Sequence, residues 1–139
     1  MAFVHGKSTV FKVDNSGGTL TDISAYVDNV DFPQTVETAE TTTFGSGSKT
    51  YIVGLKDSTI SISGKWDGAA SAVDVTLSGI LGQSATVTFE YGPSGSTAGN
   101  VKYTGECMLT NYSVSAPVGD VVTFSGDFQV TGAVTRTTF

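Results

Sequence analysis

Only two residues of this chain occur once and carry reactive side chains: one histidine, His5, and one cysteine, Cys107. A Ser-His-Asp set would need His5 held against two partners, yet it lies in an N-terminal arm where a solvated imidazole is the simpler reading. Cys107 falls on the inward phase of a strand pattern, where a free thiol behaves as a small hydrophobe. The run Asp14-Asn15-Ser16-Gly17 has the flavour of a calcium loop but lacks the full ligand spacing and the closing Glu, so it reads as a turn. Gly45-Ser46-Gly47-Ser48-Lys49-Thr50 ends in Lys-Thr without the rest of a phosphate loop or the helix that must follow one. Trp66, Phe89, Tyr91, Tyr103, Phe124 and Phe128 could form a sugar platform, but their regular alternation reads as ordinary core. No catalytic residue, metal ligand or cofactor is expected.

The acidic residues carry more weight. Asp22, Asp28, Asp31, Glu37 and Glu40 fall close together with no Lys or Arg between them. They make either a solvated sheet face or a surface that keeps phosphates away by like charge. The second reading describes a conduit and not a binding site.

Composition narrows the field further. At 139 residues the chain is one domain, 1–139, long enough for a single core. Charged residues make up 14% and the net charge is −6, with no basic cluster, which argues against a nucleic-acid-binding surface. A surface so poor in charge can be packed against another protein with little to desolvate. One cysteine allows no intrachain disulfide. No apolar run reaches membrane-spanning length and the N-terminus has no signal-peptide core, so the expectation is a soluble chain made without a Sec-type export signal.

The elements that must position these residues are mostly strands, with Gly, Ser and Thr supplying turns and exposed faces. Strands are expected at Ser8–Val13, Thr19–Ile23 and Tyr26–Phe32, the last with Asp28 in phase with Tyr26, Val30 and Phe32. Ser58–Trp66 alternates cleanly, with Ile60, Ile62 and Trp66 inward. Asp67–Gly82 then switches to helical spacing, with Asp67 as N-cap and Gly82 as the residue after the end. One flanking helix over about residues 68–81 is therefore predicted. Strands resume at Ser84–Tyr91, at Val101–Ser115 with a bulge near Thr110-Asn111, and at Asp120–Val130, leaving a polar tail. The fold class is mainly β, an antiparallel sandwich or barrel.

Between the early strands lies a long Thr/Gly-rich stretch, about residues 36–55. Its centre, Phe44 to Lys49, cannot pack a core, yet Phe44, Tyr51, Ile52, Val53 and Leu55 would be costly to leave in water. Loops of this length are commonly functional or disordered. Apolar anchors around a flexible centre predict a loop that becomes ordered against a neighbour.

TAETTTFGSGSKTYIVGLKDSTISISGKWDG (38–68), the short helix after it and the closing SVSAPVGDVVTFSGDFQVTG (113–132) together resemble the tail tube proteins of long-tailed bacteriophages. The resemblance covers most of the chain in order. It implies a structural virion protein, made in the bacterial host cytoplasm, whose hexameric rings stack into the tail tube through which DNA passes without specific binding. It implies an inter-subunit loop containing Thr43, Phe44, Gly45, Lys49, Tyr51 and Ile52. It implies an acidic lumen for which Asp28, Asp31, Glu37 and Glu40 are candidates, with self as main partner and tail terminator, tape measure and baseplate proteins as others. A capsid decoration or other tail adaptor protein is the alternative, and a carbohydrate-binding β-sandwich a third.

Overall fold

Alternating apolar residues bounded by Gly, Pro, Asn and Asp produce eight strands. In the computed structural model, which describes residues 3–139, they are β1 (Val10–Asp14), β2 (Leu20–Asp22), β3 (Val27–Asp31), β4 (Gln34–Glu40), β5 (Tyr51–Lys65), β6 (Val87–Gly92), β7 (Val101–Ser115) and β8 (Thr123–Thr138). They pair antiparallel in the order β2-β1-β6-β7-β8-β5-β3, and β4 pairs the first half of β5. The sheet folds over on itself. Phe32, just past β3, meets Phe89, Tyr91 and Tyr103 edge-on at ring separations of 5.8, 6.0 and 5.6 Å. Phe11 of β1 meets Phe128 of β8 at 5.9 Å. These contacts bring the two halves of the strand order together around one core of Phe11, Val13, Ile60, Ile62, Phe89, Cys107, Phe124 and Phe128, all essentially buried. Each large apolar side chain so buried contributes roughly 1.5–3 kcal/mol.

The single α-helix among the described residues, α1 (Val73–Ile80), closes one face through Val73, Thr76, Leu77 and Ile80. It is shorter than the predicted 68–81. Asp67 does not cap it: Asp67 Oδ1 accepts from Ala69 N at 2.9 Å, which holds a separate turn, and the N-cap is Ala72 with no side-chain bond. The other end behaves as expected, since Gly82 has φ +78° and stops the helix. Asp74, in the first turn, accepts from Trp66 Nε1 at 3.1 Å and Tyr112 OH at 2.6 Å, tying α1 to β5 and β7.

Two further expectations change. The polar tail is strand, because Thr131–Thr138 continues β8 along β7. In β3 the register shifts between Val27 and Asn29, so Val27 pairs with Gly64 and Val30 with Ile62. That bulge moves Asp28 out of phase with Val30 and onto the outer face, beside Lys65 and Ser63. Gly64 makes the crossing possible, since any Cβ there would collide with the Tyr26 carbonyl oxygen. The bulge expected near Thr110-Asn111 is present as a register shift between Leu109 and Asn111.

Candidate assembly surface

The stretch predicted as a loop over 36–55 is a hairpin arm. Its strands are β4 and the first half of β5, paired from Gln34↔Ser58 to Glu40↔Tyr51, and only residues 41–50 form the connection. Alternation did not reveal these strands because they have no buried face: every residue from Pro33 to Asp57 is exposed. The connection is closed by Thr41 N to Thr50 O at 2.8 Å, Thr41 Oγ1 to Thr50 Oγ1 at 2.8 Å and Thr50 N to Thr42 Oγ1 at 2.9 Å. Thr43 O accepts from Ser46 N at 3.0 Å, which turns the chain at the tip.

The predicted loop residues separate accordingly. Thr43, Phe44, Gly45 and Lys49 sit at the tip, with Phe44 fully exposed, while Tyr51 and Ile52 begin β5 on opposite faces. Val36, Val53 and Leu55 extend the exposed apolar surface along the arm. A lone two-stranded hairpin is marginally stable in water, and exposed apolar surface of this extent marks a surface that binds something.

A second feature went unnoticed in the sequence. β5 pairs β8 only from Thr59↔Gln129 to Lys65↔Thr123. Beyond Gln129 the strands part, β5 leaving with β4 and β8 continuing along β7. Gln129 plugs the fork, its Nε2 donating to Asp57 Oδ1 at 2.9 Å and Ser58 O at 3.2 Å. The fork leaves an unpaired backbone edge on each departing strand, a ready template for another chain. Thr-rich sequence on the β8 edge, Thr131–Thr138, was its only sequence signal.

The predicted acidic residues are all exposed. Asp28 and Asp31 lie on the outer face of β3, where Lys65 Nζ meets Asp28 at 3.1 Å and Asn29 Nδ2 donates to Asp31 at 3.2 Å. By register Glu37 is on the same side of the arm as Asp57, which continues that outer face, whereas Glu40 points to the other side and stands 4.0 Å from Lys49. Sequence reasoning missed Asp127. It joins Asp28 and Asp31 on the outer face and accepts from Ser61 Oγ at 3.0 Å and Asn111 Nδ2 at 3.1 Å. Around Asp127 the face carries Thr59, Ser61, Ser63, Asn111, Ser113, Ser125 and Gln129 with Met108 beside it, and Lys65 is its cation nearest Asp28.

The residues weighed for catalysis are engaged separately. A cleft of about 550 Å³ is lined by His5, Ser24 and Asp28, among others. However, Ser24 Oγ is bonded to Asp22, His5 Nδ1 accepts from Lys7 N, and Asp28 is paired with Lys65. Cys107 is buried, and burial pushes its thiol up to about 12. The rings considered as a sugar platform are buried, as Phe89, Phe124 and Phe128 are, or packed against the core, as Trp66 and Tyr91 are.

Known proteins share this fold. A family model described as phage tail tube protein matches residues 3–136. The tail of a gene transfer agent particle, refined with C6 symmetry, superposes with a TM-score of 0.80 at 18% identity, covering 97% of this chain and 99% of that one. The SPP1 tail tube superposes with a TM-score of 0.78 at 10% identity, covering 99% and 80%. A chain of the anti-feeding prophage baseplate gives 0.68 at 9% identity, covering 99% and 96%. No curated protein matches.

Proposed function

Because the chain belongs to the phage tail tube protein family, we propose that it acts as a structural, non-catalytic subunit whose rings of six stack into the tube of a virion tail. The C6 symmetry of the gene transfer agent tail supports the ring size. The observation that carries the mechanism is the arm: an ordered hairpin, exposed from Pro33 to Asp57, that leaves the body where β5 and β8 fork. Within a ring, the edges opened by the fork extend the sheet into the next copy. Between rings, the arm reaches the copy above or below. Six repeats of each contact make a durable tube from interfaces that are individually modest.

The outer face bearing Asp28, Asp31 and Asp127 is the proposed lumen wall. Carboxylates repeated around a ring repel phosphates and deny DNA the cationic partners that hold it by counterion release. Glu37 belongs to this set by register and Glu40 does not. Terminator, tape measure and baseplate proteins are the proposed partners at the tube's ends and in its bore. A decoration protein should not polymerise alone, so tubes formed by the purified chain exclude that reading. The direct test deletes residues 44–50: the expected result is a folded domain that forms no tubes, and tubes of normal length would overturn the proposal.

A further inference from the structure

A tube open at both ends grows only if one end of its subunit fits a different surface at the other end. The register of β5 identifies those two ends. The arm tip lies beyond Tyr51, and the β7–β8 turn, residues 116–122, lies beyond Lys65, which pairs with Thr123. Fourteen residue steps at about 3.3 Å each put roughly 46 Å of strand between Tyr51 and Lys65.

Both ends expose apolar side chains that none of the described residues covers. The tip presents Phe44, and the turn presents Val118, fully exposed, flanked by Val114 and Val121. Their charges are complementary. Lys49 is the only charged residue in 41–50, and its ammonium is held by Glu40 only at 4.0 Å with both side chains largely exposed. Asp120 is the only charged residue in 113–122; it is exposed, with Oδ1 accepting from Val121 N at 2.7 Å.

We infer that the seat of the arm is the β7–β8 turn of a second copy of this chain in the adjacent ring, with Phe44 covering Val118 and Lys49 facing Asp120. This rests on the ring-stacking reading above and adds the identity of the receiving surface. The apolar contact supplies affinity, and the opposite charges set the register of one ring on the next.

The test places thiols beside the contact residues while leaving those residues intact. The full-length chain carrying both Ser46→Cys and Ala116→Cys is assembled and treated with a short bis-maleimide. Adjacent rings should join into a ladder of covalent multimers on a denaturing gel. Either single variant should stop at the monomer, because buried Cys107 is silent. Tubes that form but give no ladder overturn the seat and leave ring stacking standing. An equal ladder from Ser46→Cys with Thr97→Cys, in a different surface loop, would overturn it too. Failure of the unsubstituted chain to form tubes at the same concentration would instead overturn the ring-stacking reading.

Discussion

At the residue scale, the core's titratable groups give stability a defined pH dependence. Burial raises the Cys107 thiol from 9.0 to about 12. Burial also raises Tyr91, and the Tyr112 phenol is raised by burial together with its hydrogen bond to Asp74. Each group keeps its proton longer folded than unfolded. The unfolded chain therefore binds fewer protons above the ordinary pKa values, and stability falls as pH rises. Stability contributed by Cys107 is complete below pH 9.0 and disappears progressively towards pH 12. Urea midpoints measured from pH 7 upward should decline once pH 9 is passed, and a flat profile would contradict this. Tyr112→Phe removes one donor to Asp74 and should cost about 1–3 kcal/mol in the same assay. Phe44→Ser should alter folding stability by less than about 0.5 kcal/mol, because the ring is exposed in the isolated chain, yet it should abolish tubes seen by negative stain.

At the element scale, local rules succeeded wherever a strand has one wet and one dry face. Ser58–Trp66 alternates because Ile60 and Ile62 are buried while Thr59, Ser61 and Ser63 are not. β4 and the first half of β5 are wet on both sides, so period two carries no apolar signal there and the hairpin reads as loop. The end of β8 is hidden for a related reason, since Val134 is its one apolar residue packed against the core. The helix is shorter than its spacing predicts because Ala70 falls at helical spacing while Asp67 commits the chain to a turn. The outward swing of Asp28 depends on a bulge set by Gly64 and Tyr26, residues distant in sequence, which no window along the chain contains. The acidic face was half legible: Asp28 and Asp31 stand out as a cluster, but Asp127 joins them only through strand pairing. Gly64→Ala should destabilise the domain by about 1–3 kcal/mol through overpacking, read as a lowered urea midpoint. A neutral result would show that β3 does not need to cross so closely.

At the scale of the whole molecule, the body is self-sufficient and the arm is not. The body's one core is closed by α1 and by aromatic contacts across the fold. The arm offers two wet faces, an aromatic tip and an open strand edge, none of which gains from isolation. The proposed lumen adds its own expectation. Replacing both Asp31 and Asp127 with Lys should leave tube assembly intact, because neither lies on the arm or the fork edges, while lowering the infectivity or DNA transfer of particles built with it. Unchanged transfer from such particles would remove this face from the lumen.

Electron cryomicroscopy of the purified full-length chain at high concentration tests the central claim most directly. Hollow tubes of stacked six-fold rings, each arm extended onto a neighbouring copy, are the predicted result. A uniform population of single-copy particles, with the arm laid back along its own body, would contradict it.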